Sequence, residues 1–110
     1  MPDMKRPTRI SMPKTATRGA IIDIKTLIQH DMETGYRRDA TGKIVPRDII
    51  AGLTVTYDGS EIFSAEMFTG VSANPYIAFT TTATTSGDLV FSWTDLAGVT
   101  TTETRTLTVT

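Results

Sequence analysis

Cysteine is missing from this chain altogether, which excludes disulfides, thiolate metal sites and covalent thiol chemistry within it. Histidine occurs once, at His30. A Ser/His/Asp triad would need that single imidazole between a hydroxyl and an orienting carboxylate, and no nucleophile-elbow motif accompanies it. A metal centre built on His30, Asp31 and Glu33 would offer one nitrogen and two oxygens, whereas transition-metal sites usually take several His or Cys ligands. The glycines form no GxGxxG or Walker pattern to cradle phosphate. No apolar run approaches the ~20 residues of a membrane-spanning helix. The basic N-terminus has no apolar segment after it, so no membrane span and no export signal are expected in the chain itself.

What the chain does contain is the composition of one folded sheet domain. Its 110 residues suit a single core, with apolar residues at 39%, charged residues at 21% and a prominence of Val, Ile and Thr. The net charge of -1 conceals a polarity: residues 1 to 48 carry ten Lys or Arg against six acids, or +4, while residues 49 to 110 carry one Arg against six acids, or -5. Such asymmetry suits a charged partner surface, but the dense basic runs with interleaved aromatics of a nucleic-acid binder are absent. Nucleic acid is therefore not an expected partner.

Periodicity supplies the architecture. Residues 1 to 8, with Pro2 and Pro7, are expected to form a flexible N-terminus, and 9 to 110 a single domain. Arg9 to Met12 reads as a short edge strand stopped by Pro13, and Lys14 to Gly19 as a turn. Ala20 to Gln29 alternates, with Ile22, Ile24, Thr26 and Ile28 on one face. Ile49 to Asp58 resumes with Leu53, Val55 and Tyr57 facing one way, and Asp58-Gly59 signals a two-residue hairpin turn into Ser60 to Met67. After the irregular Phe68 to Pro75, strands are expected at Tyr76 to Thr82, at Asp88 to Thr94 and at Val99 to Thr110. Leu89, Phe91 and Trp93 form the aromatic centre of the core, with Phe79 and Tyr57 nearby. The pattern predicts an all-β fold of about seven strands, an immunoglobulin-like antiparallel β-sandwich.

Two segments do not read as scaffold. The first, His30 to Arg47, has no periodic apolar pattern, and unstructured loops longer than about twelve to fifteen residues are uncommon in compact domains unless functional. The second is Ser72-Ala73-Asn74-Pro75-Tyr76. Each feature also has a plain structural reading: Gly35 for a positive-φ turn, Pro46 and Pro75 for loop exits, Asn74 for backbone hydrogen bonding and Arg37-Arg38 as solvated charge.

Taken together, these segments resemble the Z subunit family of the Sox sulfur-oxidation carrier complex. The shared pattern, H-x-M-E-T-G-x-R-[KR]-D-x-x-G-x-x-[IV]-P-R-x-I-I, is met at His30, Met32, Glu33, Thr34, Gly35, Arg37, Arg38, Asp39, Gly42, Val45, Pro46, Arg47, Ile49 and Ile50. S-A-N-P-Y follows at Ser72 to Tyr76 and W-T-D-x-x-G at Trp93 to Gly98. Asp31 departs from the pattern, standing where proline is expected.

The resemblance implies a non-catalytic, cofactor-free subunit with an immunoglobulin-like sandwich, paired as a heterodimer with a Y subunit. That partner's C-terminal cysteine arm covalently carries the sulfur intermediates of thiosulfate oxidation among the other Sox enzymes, which dock transiently. It also implies a periplasmic location reached by export with the signal-bearing partner; self-association of the isolated chain is left open. The expected partner-binding residues are His30, Met32, Glu33, Tyr36, Arg37, Arg38, Asn74 and Tyr76. The alternatives are an immunoglobulin-like structural or adhesion module without a sulfur role, and a small hydrolase or metal enzyme centred on His30.

Overall fold

The computed structural model describes residues 6–71 and 73–110; residues 1–5 of the expected flexible N-terminus and Ser72 of the S-A-N-P-Y segment lie outside them. Eight strands run in chain order: β1 Thr8–Ser11, β2 Thr15–Ala16, β3 Ile21–Ile28, β4 Ile50–Tyr57, β5 Ser60–Glu66, β6 Tyr76–Thr82, β7 Gly87–Asp95 and β8 Thr100–Val109. They form a three-stranded sheet in the order β1-β3-β6 and a five-stranded sheet in the order β2-β8-β7-β4-β5. The protein is an all-β, immunoglobulin-like sandwich.

The alternations seen in the sequence set the inner faces. Ile22, Ile24, Thr26 and Ile28 of β3 are buried while Ile21 is 73% exposed. From the opposite sheet come Leu53, Val55 and Tyr57 of β4, and Leu89, Phe91 and Trp93 of β7, all buried. Burial of side chains of this size contributes about 1.5 to 3 kcal/mol each. Phe79 is only half-buried; it stacks on Phe63 of β5, ring centroids 4.3 Å apart and planes 5° from parallel, and so fills the seam where β5 and β6 face each other across the sandwich.

Turns follow their residue chemistry. Asp58 and Gly59 both take positive φ, 50° and 84°, the geometry of a two-residue hairpin whose twist matches the flanking strands. The Tyr57 hydroxyl, carried on a buried ring, accepts from the amides of Thr84 and Thr85 at 3.2 Å each and donates to the Thr85 carbonyl, fixing the β6–β7 connection.

One element was not expected. Within the stretch read as a turn, β2 adds two residues in parallel to the end of β8, Thr15 opposite Thr108 and Ala16 opposite Val109. Its bonds run from Thr108 N–H to the Lys14 carbonyl at 2.9 Å and from Thr110 N–H to the Ala16 carbonyl at 3.0 Å. A two-residue strand has no period, so nothing local announces it.

Candidate functional site

The segment from His30 to Arg47 leaves the end of β3 and returns to β4 as a folded excursion. Two isolated bridges hold its legs together, Glu33 with Asp48 and Arg38 with Ile44. At the base, the Glu33 and Asp48 amides donate to each other's carbonyls at 2.8 and 2.9 Å. At the tip, one carboxylate oxygen of Asp39 accepts from the Thr41 amide (2.9 Å), the Thr41 hydroxyl (2.7 Å) and the Lys43 amide (3.1 Å). These donors, the Thr41 hydroxyl foremost, hold the Asp39 carboxyl below its ordinary pKa. Gly35 sits at φ 89°, and a Cβ there would lie 3.3 Å from the Arg47 Cβ, so glycine lets the two legs approach.

His30 and Met32 are the roots of this excursion, both buried. His30 Nδ1 accepts the Met32 amide at 2.8 Å, which places the proton of the neutral ring on Nε2. Nε2 lies 3.3 Å from Asp48 Oδ1, outside hydrogen-bond geometry, and among the described residues the atom has no hydrogen-bond partner. Met32 takes a positive φ of 56°, and its sulfur accepts the buried Ile50 amide at 3.2 Å.

Asn74, also at positive φ (54°), ties the second segment to the first. Its Oδ1 accepts the His30 amide at 2.9 Å and its own amide donates to the His30 carbonyl at 2.7 Å. The sequence-predicted residues thus fall into three groups. His30, Met32 and Asn74 form the anchor. Glu33, Tyr36, Arg37 and Arg38 are carried outward on the excursion, with Tyr36 77% exposed. Tyr76, 58% exposed, stands apart beside Leu27 on the outer face of the three-stranded sheet.

Charges on the excursion are largely committed to one another. Arg37 grips Glu33 through two bonds, Nε to Oε1 at 3.0 Å and Nη2 to Oε2 at 2.7 Å. That hydrogen bonding lowers the Glu33 pKa and raises that of Arg37. Arg38 bonds the Gly42 carbonyl at 2.8 Å and Arg47 the Thr34 carbonyl at 3.3 Å. Both guanidinium groups retain donors for an anionic or carbonyl partner.

Beside the loop's exit lies an open cleft of about 420 Å³, walled by Arg47, Ile49, Met67, Phe68 and Leu96. Phe68 and Leu96 are 67% and 53% exposed at its rim. Sequence reading did not single out this pair. Their signal was two large apolar residues within irregular, otherwise polar segments, which periodicity cannot assign to a core. Leu96 is held there because its amide donates to the Ile49 carbonyl at 3.2 Å and because Asp95 caps the turn, its Oδ1 accepting the Ala97 and Val99 amides at 2.9 Å each.

Among the described residues no group of three or more His, Cys, Asp or Glu side chains converges as metal ligands. The lone histidine is committed to the loop's own backbone, and the braced excursion and the cleft beside it are carried on a two-sheet β-sandwich.

A family model described as sulphur oxidation protein SoxZ matches residues 10–106, and the chain belongs to the SoxZ family of the Sox sulfur-oxidation system. No curated protein sequence matches the chain significantly. Solved structures share its fold at low identity. A putative superoxide reductase from Thermotoga maritima aligns with TM-score 0.74 and 14% identity over 97% of this chain and 88% of its own. The superoxide reductase (neelaredoxin) from Ignicoccus hospitalis gives 0.67 and 14% over 94% and 80%. The sulfur carrier protein SoxY from Chlorobium limicola f thiosulfatophilum gives 0.67 and 12% over 94% and 78%. At these identities the likeness is one of fold.

Proposed function

We propose that this chain is a non-catalytic subunit of a periplasmic sulfur carrier. It binds a Y subunit whose terminal cysteine arm bears the sulfur intermediates of thiosulfate oxidation. The observation that carries this reading is the family match along nearly the whole domain in a chain without cysteine: such a subunit cannot bear sulfur on a thiolate, so its task is to hold the chain that does. A SoxY sulfur carrier with the same fold supports a pairing of two similar sandwiches. The contact zone in this proposal is the braced loop that presents Tyr36, Arg37 and Arg38, together with the neighbouring cleft rimmed by Phe68 and Leu96. Exposed aromatics and arginine beside an apolar hollow are the composition of an interface centre.

Titration of the wild-type chain with a purified Y subunit tests the pairing, and the double charge reversal Arg37→Glu with Arg38→Glu tests the loop. Binding weakened by the reversal, with coupled thiosulfate oxidation reduced, is the expected result. Wild-type affinity and turnover in the variant would remove the loop from the interface; failure of the wild type to bind any cysteine-armed partner would remove the carrier reading itself.

A further inference from the structure

Among the described residues the two sheets end in four edge strands, β1, β6, β2 and β5, and three are protected against pairing with another chain. β2 has two residues. β1 carries Arg9 and is bracketed by Pro7 and Pro13. β5 carries Glu61 and Glu66, and its register with β4 shifts between Val55 and Thr56. Short length, charge, proline and bulges are the devices by which sheet proteins blunt exposed edges. β6, YIAFTTT, is the least protected: it is seven residues long, carries no charge and no proline within the strand and keeps an unbroken register with β3, with Pro75 guarding only its first residue.

The ladder phase shows which groups β6 offers. The Ile28 amide donates to the Pro75 carbonyl and the Ala83 amide to the Ala20 carbonyl. In an antiparallel pair alternate residues turn their N–H and C=O to the same neighbour. Ile77, Phe79 and Thr81 are therefore bonded to β3, and Tyr76, Ala78, Thr80 and Thr82 direct theirs outward along an edge that none of the eight strands covers.

We propose that β6 is the seam along which two copies of this chain join, antiparallel about a two-fold axis at Phe79, into one continuous six-stranded sheet. In this register Tyr76 lies opposite the second copy's Thr82 and Ala78 opposite its Thr80, so every outward N–H and C=O of the strand meets a partner. Phe79 meets its own copy at a close, non-hydrogen-bonded position, about 4.5 Å between Cα atoms, and extends the Phe63–Phe79 stack on the inner face.

The outer face is complementary about the same axis, through charges three strand spacings, about 14 Å, apart. Lys25 is the neighbour of Ala78 and Asp23 of Thr80, so across the seam Lys25 of one copy shares a row with Asp23 of the other. Moving the axis to Ala78 or to Thr80 would instead align Lys25 with Lys25 or Asp23 with Asp23. Tyr76 is brought beside the second copy's Thr82 and the adjoining Ile21, covering side chains of Tyr76 and Ile21 that are 58% and 73% exposed in the single chain. An unrelated extended peptide could satisfy the backbone, but the opposite charges and the apolar cover come with a second copy. The seam uses neither the loop nor the cleft, so it stands apart from the proposed Y-subunit surface.

Hydrogen exchange and sedimentation of the isolated full chain across a concentration series test the seam. The expected result is a monomer–dimer equilibrium in which the amides of Tyr76, Ala78, Thr80 and Thr82 gain protection with concentration. Ala78→Pro removes an outward N–H while sparing the β3 ladder, and Thr80→Lys places a charge on the edge; each is expected to weaken dimerisation about tenfold or more. Should Ala78→Pro lose its far-UV circular dichroism, Thr80→Lys and the wild-type exchange pattern decide. A chain that stays monomeric at every concentration, variants that dimerise as the wild type does, or protection that appears only when an extended peptide is added would each overturn the proposal.

Discussion

Asn74 grips His30 by its backbone on both sides, its side-chain oxygen taking the His30 amide at 2.9 Å and its own amide meeting the His30 carbonyl at 2.7 Å. The two motif segments, 44 residues apart, are thereby one structural unit, and the single histidine works as a spacer between them: its ring nitrogen receives Met32 while its backbone receives Asn74.

Two substitutions at Asn74 separate the roles of side chain and backbone. Asn74→Gly keeps the positive φ and removes one part-buried hydrogen bond, with an expected loss of about 0.5 to 1.5 kcal/mol. Asn74→Ala adds the cost of a left-handed residue with a Cβ, about 1 to 2 kcal/mol more. Urea denaturation of the three proteins is expected to rank them wild type, Gly, Ala in descending stability.

Met32→Leu keeps the volume and removes the sulfur acceptor. The Ile50 amide, buried beneath the loop, is then left without its partner, and the expected loss is about 1 to 3 kcal/mol, larger than the under 1.5 kcal/mol usual for such a swap in a purely apolar pocket. The midpoint of chemical unfolding checks it.

Acid should loosen the loop while the sandwich still stands. The carboxyls of Glu33 and Asp39 titrate below their ordinary values because of Arg37 and Thr41. Their contribution to loop order is complete above the ordinary carboxylate range, near pH 4, and is lost as pH falls through the lowered values. Amide exchange at Thr41 and Lys43 is expected to accelerate relative to core amides of β7 below about pH 4, beyond the intrinsic pH dependence. An equal response of loop and core would contradict this.

Trp93→Ala reports on the core. The ring is buried with Phe91 beside it, centroids 6.3 Å apart, and its removal is expected to cost about 3 to 5 kcal/mol. Loss of most of the folded signal in thermal unfolding would follow.

The sandwich was legible where apolar residues alternate. The inward residues of β3, β4 and β7 could be read directly, because a half-buried strand must alternate to satisfy two environments. The Asp58-Gly59 turn was legible because few dipeptides tolerate two positive φ values. Asn74 was legible as a residue that hydrogen-bonds backbone, and it does so; its partner, His30, and the anchoring roles of His30 and Met32 were not. Each depends on a partner distant in sequence or on a backbone angle no pattern encodes, and a methionine at positive φ is uncommon. Phe68 and Leu96 were missed for the opposite reason: each lies in a turn, where one apolar residue carries no period.

The two-residue pairing of β2 with β8 also has a kinetic side. Thr15 meets Thr108, so one of the first strands cannot be sealed until the last in chain order has been placed. β3 likewise waits for β6, with the whole β4–β5 hairpin between them in the chain. Contacts of such long range make closure slow, in the millisecond-to-second regime of β-sandwiches. Until β8 docks, Thr15 and Ala16 have no strand to pair with, whereas β1 can already close on β3.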